Sequence, residues 1–165
     1  MTESVLIVGA GSGLSASLAR LCGSKGMKVV LAARNIEKLK DLKKEINAHL
    51  IKCDVTNIKS VTNLFKKTDK IVGAPNLVIY NPSKSLGGNI IDLDPKKAYE
   101  AINITCYGGF LVAQQATKRM LKKKRGSIFF TGATASVKGF PKSSVFAMGK
   151  FGLRGLAQSL ARELH

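Results

Sequence analysis

Residues Ser4 to Arg20, SVLIVGAGSGLSASLAR, constrain this chain more than any other stretch. Ser4 to Val8 are mostly aliphatic and β-branched, which predicts a short buried strand. Gly9-Ala10-Gly11-Ser12-Gly13 follows at once. Leu14, Leu18 and Leu21 then recur at helical spacing, with Ala16 and Ala19 as good helix formers between them. A strand, a glycine turn and a helix in that order can build a phosphate site. The glycines let the backbone turn tightly and come close to an anion, and the helix N-terminus aims its free N–H groups at it. The general spacing G-x-G-x-x-G is not met, because Leu14 stands where the last glycine belongs. The spacing present is G-x-x-x-G-x-S, from Gly9, Gly13 and Ser15. An ordinary tight turn between strand and helix would also use these residues.

The rest of the chain repeats the alternation. Lys28 to Ala32 predicts a second strand. Asn35 is placed to cap a helix running to about Asn47, with Ile36, Leu39, Leu42 and Ile46 on one face. A third strand is expected over His49 to Cys53, and a helix from about Ile58 to Ile71 turns Val61, Leu64 and Phe65 inward before Gly73-Ala74-Pro75 breaks it. Asn76 to Tyr80 reads as a fourth strand and Asn81 to Asn89 as a loop. One long helix is expected from Pro95 to about Lys124, with Ala98, Ile102, Cys106, Gly109, Ala113, Ala116 and Met120 along its inner stripe. Ser127 to Thr131 predicts a fifth strand, Gly132 to Phe140 a loop, and a last helix opens at Pro141 or Lys142 with Leu153, Leu156, Leu160 and Leu164 inward. Strict alternation of strands and helices argues an α/β fold, a doubly wound parallel sheet covered on both faces, over residues 1–165 as a single domain. The last helix stops at Glu163-Leu164-His165 without glycine, proline or polar tail, so the sheet is expected to be cut off before a sixth strand.

Composition narrows the function classes. A chain of 165 residues that is 45% hydrophobic has a core to bury and is not disordered. No apolar run reaches the length of a membrane span, and no basic-then-apolar leader opens the chain. Cys22, Cys53 and Cys106 are scattered without metal-ligand spacing and fit reduced thiols of a cytoplasmic protein. Two histidines, His49 and His165, are too few for a histidine-based metal site, so no metal is expected. The net charge of +17 invites a nucleic-acid reading. Its lysines, however, are spread over several helix faces: Lys38 to Lys44, Lys66 to Lys70 and Lys122 to Lys124. No aromatic residues interleave them, which favours solvated faces and phosphorylated ligands over nucleic acid.

From this point the residues resemble a known family. The whole chain resembles the N-terminal two-thirds of a classical short-chain dehydrogenase/reductase. Gly9-x-x-x-Gly13 resembles its glycine motif, with Ser15 in place of the third glycine. Cys53-Asp54-Val55 resembles the stretch whose aspartate meets an adenine ring. Tyr80-Asn81-Pro82-Ser83 is similar to the Asn-Asn-Ala-Gly segment after the fourth strand, with Asn81 alone identical. Asn103 falls at the active-site asparagine of the long helix, Gly126-Ser127-Ile128 resembles the lead-in to the serine strand, and Lys150 matches the lysine of Tyr-x-x-x-Lys. The resemblance implies a Rossmann-like fold and an oxidoreductase acting on a small carbonyl or alcohol substrate with a nicotinamide cofactor. It implies cofactor contacts from Gly9, Gly11, Ser12, Gly13, Leu14, Arg34, Asn35, Asp54, Val55, Asn81, Pro82, Ser83 and Lys150, and catalytic roles for Asn103 and Lys150.

The departures bear on the chemistry. The tyrosine position is Phe146 and the serine position, thirteen residues earlier, is Ala133. In that family the tyrosine exchanges a proton with the substrate, the lysine holds the nicotinamide ribose, and the serine holds the substrate oxygen. A phenyl ring and a methyl group do neither job. Thr134 and Ser136 are the nearest stand-ins for the lost serine, although such loop hydroxyls also bond their own backbone. At the end of the second strand Ala33 removes the acid that would select NAD, and Arg34 supplies a cation that can fork onto a 2′-phosphate, so NADP is expected over NAD. The long and last helices resemble the pair that joins subunits in this family, which implies a homodimer or homotetramer. Gly108, Gly109 and Ala113 would permit that approach, and packing on the chain's own sheet explains them equally well. A non-catalytic NADP-binding or assembly protein is the alternative that the paired loss at Ala133 and Phe146 supports.

Overall fold

The computed structural model describes residues 2–164. Five parallel strands lie in the order β3-β2-β1-β4-β5, where β1 is Ser4–Val8, β2 Lys28–Ala33, β3 His49–Lys52, β4 Leu77–Tyr80 and β5 Ser127–Phe130. Helices α1 (Leu14–Ser24), α2 (Lys40–Ile46), α3 (Ile58–Val72), α4 (Pro95–Ile102), α5 (Gly108–Lys123) and α6 (Ser144–Glu163) cover both faces. The β1 register sets Val5 between Val29 and Leu77, and Ile7 between Leu31 and Ile79. All five β1 residues are buried, the run of apolar residues that a strand covered on both faces needs. Alternate side chains feed two cores. Leu6 and Val8 join Phe65, Val112 and Leu153 on one face, while Val5 and Ile7 join Ala16, Ala19 and Leu39 on the other. Each such aliphatic side chain contributes about 1.5–3 kcal/mol by leaving water. Among the described residues no helix is long and apolar enough to cross a membrane.

The strands fall where the sequence puts them, within a residue at each end. The helices differ more. On α1 the buried face is Ser15, Ala16, Ala19 and Cys22, whereas Leu14 and Leu21 are exposed. Small residues face the sheet there because the helix packs close behind the glycine turn. Asn35 caps no α-helix. Its Oδ1 accepts the Glu37 N–H at 3.1 Å and opens a 3₁₀ turn, Glu37–Leu39, ahead of α2. The last helix begins at Ser144 rather than at Pro141 or Lys142, and Lys142 holds a positive φ of 59°, incompatible with a first helical turn. Leu164 is exposed rather than inward.

The expected long helix is interrupted by a π turn over Asn103–Tyr107. A π turn carries one residue more than an α turn and rotates the helical phase. After it the expected stripe holds, with Gly109, Ala113, Ala116 and Met120 buried; before and within it burial moves to Ala101, Ile104 and Thr105, and Ala98, Ile102 and Cys106 are only half covered. The widened turn frees the Ile104 carbonyl, which accepts the hydroxyl of the buried Tyr80. Burial, with Cys106 and Cys53 nearby, pushes that hydroxyl's pKa well above the usual tyrosine range. The two glycines after the turn serve the chain's own packing. A Cβ on Gly108 would run into the Tyr80 hydroxyl, and one on Gly109 would come within 2.5 Å of Leu153. Of the two readings of these small residues, self-packing is the one the structure takes.

Candidate functional site

The sheet reverses its winding between β1 and β4, and the carboxyl ends of those strands open the crevice where ligands bind in such sheets. Gly9 ends β1 with a φ of 77°, a left-handed conformation that suits glycine, and a Cβ there would stand 2.6 Å from Pro82 beyond β4. Its N–H, like that of Ala10, is used on the Ala32 carbonyl. The amides left to meet an anion are therefore those from Gly11 onward. No side chain caps α1, and no acid lies in its first turn. Gly11 and Gly13 have no positive φ, and a Cβ on either would meet nothing within 4 Å. Packing within the chain does not require glycine at these two positions, so the bare backbone leaves room for a group from outside. An uncapped helix start with that clearance fits a diphosphate. Ser12, Gly13 and Leu14 are exposed along this edge.

A groove of about 430 Å³ runs from the turn, lined by Gly9, Ala10, Ala33, Arg34, Asn35, Lys38, Cys53, Asp54, Val55, Asn81, Pro82, Ser83 and Ile104. It gathers eight of the residues singled out as cofactor contacts onto one surface: Gly9, Arg34, Asn35, Asp54, Val55, Asn81, Pro82 and Ser83. It also adds Lys38, which sequence reasoning had counted among dispersed lysines. The 3₁₀ turn folds Lys38 back beside Arg34; a straight helix from Asn35 gives no hint of this. Asp54 is already partly engaged, its Oδ1 accepting the Thr56 N–H at 2.9 Å and the Thr56 hydroxyl at 2.8 Å. That leaves its second oxygen free to accept. Burial raises the Cys53 thiol pKa, so this groove residue stays protonated and apolar in character.

A chain of hydrogen bonds ties the turn to the far end of the site. Ser15 Oγ donates to the Gly9 carbonyl at 3.2 Å, and Asn81 Nδ2 donates to Ser15 Oγ at 2.8 Å. Thr131 Oγ1 donates to Asn81 Oδ1 at 2.8 Å, and Lys150 Nζ donates to the Thr131 carbonyl at 2.7 Å. Neither Ser15 nor Thr131 was given this structural part by its position in the sequence.

Lys150 is 3% exposed on the inner side of α6. Its ammonium lies 5.8 Å from the centroid of the Phe146 ring, and no ion pair of the described residues includes it. Burial lowers its pKa from the ordinary lysine value. The unfolded chain therefore binds the extra proton over the interval between the depressed value and 10.5, and folding is stabilised as pH rises through that interval. Denaturation curves at pH 8 and pH 10.5 are expected to show this gain in the wild-type chain and a smaller one in Lys150→Met. Equal pH slopes in the two chains would contradict it.

The other candidates are placed as follows. Ala133 and Thr134 sit at the start of a 3₁₀ turn, Thr134–Ser136, which packs on α6; Thr134 is exposed. Ser136 is buried, and its hydroxyl donates to the Ala133 carbonyl, so its proton is held by local backbone. Asn103 is half-buried in the π turn, and its side chain makes no hydrogen bond within the described residues. Two residues on, Thr105 is 1% exposed, accepts the Lys84 N–H at 3.1 Å and lies against Gly149, next to Lys150. The π turn brings Thr105 to the site, and its phase shift is invisible to an α-helical count. Among the described residues no three histidine, cysteine or carboxylate side chains gather as a metal site would require.

The short chain dehydrogenase family model matches residues 3–165. An uncharacterized oxidoreductase of Staphylococcus aureus is 31% identical over 171 residues, 99% of this chain and 73% of that protein. A 3-oxoacyl-[acyl-carrier-protein] reductase of Bos taurus is 26% identical, over 99% of this chain and 70% of its own length. Among solved structures, a short-chain dehydrogenase from Rhodopseudomonas palustris superposes with a TM-score of 0.92 at 32% identity, over 98% of this chain and 78% of that one. A metagenomic short-chain oxidoreductase in complex with NADP superposes with a TM-score of 0.93 at 27% identity, over 99% and 77% of the two chains.

Proposed function

We propose, on the premise that this chain belongs to the short chain dehydrogenase family, that it binds NADP(H) in the groove after β1 and exchanges hydride with a small carbonyl or alcohol substrate at the Lys150 end. The observation that carries this reading is the groove itself, which gathers Gly9 and Ala10 of the turn, a cationic corner at Arg34 and Lys38, and an engaged Asp54 on one surface. The amides from Gly11 to Leu14 would hold the diphosphate. Asp54 would accept from the adenine amine, and Asn81, Pro82 and Ser83 would flank the nicotinamide half. Bound NADPH supplies the hydride. Within the chain, Lys150 would hold the nicotinamide ribose, and Ala133 and Phe146 would supply no proton.

Arg34 and Lys38 support NADP over NAD. Both line the groove beside Ala33, which brings no carboxylate to the end of β2. A charge-assisted contact to phosphate contributes about 1.5–3 kcal/mol. NADPH is therefore expected to bind at least about tenfold more tightly than NADH, and Arg34→Ala with Lys38→Ala to remove most of that preference. Fluorescence titration of the two cofactors against both chains measures it, and equal affinities in the wild-type chain would remove the role assigned to the cations.

The reading of a non-catalytic NADP-binding protein draws on one observation, the commitment of the Ser136 proton to the Ala133 carbonyl, which leaves the replaced serine position without a free hydroxyl donor there. Self-association is proposed for the outer face of the π turn, α5 and α6. Tyr107 and Phe110 stack there 6.0 Å apart and are exposed, as are Met148 and Phe151. These aromatic and thioether side chains, not Gly108 and Gly109, would make the contact.

A further inference from the structure

We propose that the amino edge of the sheet is a docking face for an anionic lipid surface, gripped by lysines that the fold gathers from four helices. In a parallel sheet each connecting helix runs back against the strands, so its carboxyl end lies where the strands begin. Helices α1, α2, α3 and α5 all connect parallel strands of the one sheet. Lys25 follows α1, Lys43 and Lys44 lie in the last turn of α2, Lys70 in that of α3, and Lys122 and Lys123 in that of α5. All six are exposed. In the sequence they stand in separate blocks, and the topology brings those blocks to one edge. Contacts across the edge fix the placement. Lys123 Nζ donates to the Ala74 carbonyl ahead of β4 at 2.8 Å, and Arg125 ahead of β5 pairs with Glu3 ahead of β1 at 2.8 Å.

Three properties of this edge select lipid headgroups. Its positive charge is not cancelled locally: Glu3, Glu45 and Asp69 are held by Arg125, Arg20 and Arg119, and among the described residues none of the six lysines is in an ion pair. One lysine in a last turn complements the helix dipole. Lysines from four helices on one edge also repel one another, and an apposed anionic surface relieves that repulsion. The uncommitted cations are, in addition, lysines. Arg20, Arg119 and Arg125, whose planar forks would read a nucleic-acid phosphate or base, are engaged by carboxylates. A lysine ammonium on a flexible stem suits a diffuse layer of headgroups. Lastly, aliphatic side chains stand exposed near the same helix ends: Leu21 on α1, Ile71 on α3 and Leu121 on α5. Nucleic acid has no place for them, whereas the boundary between headgroups and acyl chains takes up apolar side chains. The attachment is to a surface and is no span, in keeping with helices too short or too polar to cross a membrane among the described residues. The groove lined by Arg34 and Asp54 opens at the opposite, carboxyl edge, so a chain seated this way keeps it open to water.

The test sediments the full chain with vesicles of phosphatidylcholine alone and of phosphatidylcholine mixed with phosphatidylserine, at roughly 0.1 M and 0.5 M salt. Binding is expected on the mixed vesicles at the lower salt. It falls at least about tenfold at the higher salt or on phosphatidylcholine alone, a comparison that needs no variant. Lys43→Glu with Lys44→Glu, Lys70→Glu and Lys122→Glu is expected to lose about 10²-fold or more, since each lysine near such a surface contributes about fivefold. Lys59→Glu with Lys96→Glu, Lys97→Glu and Lys138→Glu makes the same change in net charge at the other end of the molecule. That variant is expected to stay within about threefold of the parent, because charges farther from the vesicle than a Debye length are screened. Leu121→Ser leaves the charge alone and is expected to weaken vesicle binding about three- to tenfold without changing retention on heparin. Equal binding to the two kinds of vesicle, equal losses in the two reversed variants, or tighter binding to a single-stranded RNA than to the mixed vesicles at the same salt would overturn the proposal.

Discussion

The double substitution Ala133→Ser with Phe146→Tyr is expected to raise NADPH-dependent reduction of saturated ketones by about 10²- to 10⁴-fold, the range that a positioned acid contributes. Phe146 lies one helical turn before Lys150 on α6, with its ring 5.8 Å from Nζ, so a hydroxyl added to that ring gains an ammonium neighbour. A nearby cation lowers a phenol's pKa towards the working range of a general acid. A serine at 133 would set a second hydroxyl at the start of the 3₁₀ turn that packs on α6. The two act together, so each single substitution is expected to give far less than the pair. Steady-state assay of the four chains on one ketone measures this. A double variant no faster than the parent would mean that the proton reaches the carbonyl by another route.

Gly9→Ala is expected to have the largest effect on the fold and the cofactor together. The new Cβ would lie 2.6 Å from three Pro82 atoms, one of them backbone nitrogen, at a φ of 77° that an L-residue adopts under strain. Strain and overpacking of this kind each cost about 1–3 kcal/mol. Relief requires β1 and the Asn81–Pro82 corner to part, which breaks the Ser15–Asn81 contact as well. Chemical denaturation is expected to show a loss of about 2–6 kcal/mol, and NADPH titration a loss of affinity larger than Gly11→Ala produces. Gly11→Ala meets nothing within 4 Å and leaves the stability near wild type, so it affects only what binds. Equal stability in the Gly9 and parent chains would remove the close approach from the account.

How much of this was legible in the sequence depends on the periodicity involved. Strands β1 to β5 were legible because each is a short apolar run between glycine, proline or polar breaks, and their alternation with helices left few topologies open. The groove was legible through local motifs: Gly9, Asp54 and Asn81 each sit within two residues of a strand's end, where the fold leaves little freedom about where they point. Three things were not legible. The apolar face of α1 runs through Ala16, Ala19 and Cys22 because small residues let the helix approach, while a count of leucines selects the wrong side. Lys38 joins Arg34 only because Asn35 starts a 3₁₀ turn rather than an α-helix. Thr105 lies beside Gly149 only because a π turn advances the phase by one residue, so an α-helical ruler laid from Asn103 misses it.

That π turn gives the helix pair a hidden slack. Removing a single residue between Asn103 and Tyr107 would wind the segment into ordinary α geometry and leave α4 and α5 in nearly their present phase, because the π turn absorbs one surplus residue. Tyr80 would then lose the Ile104 carbonyl that satisfies its hydroxyl in the core. The surplus residue thus works as a gear tooth, meshing the groove wall at Ile104 with the tyrosine that ends β4.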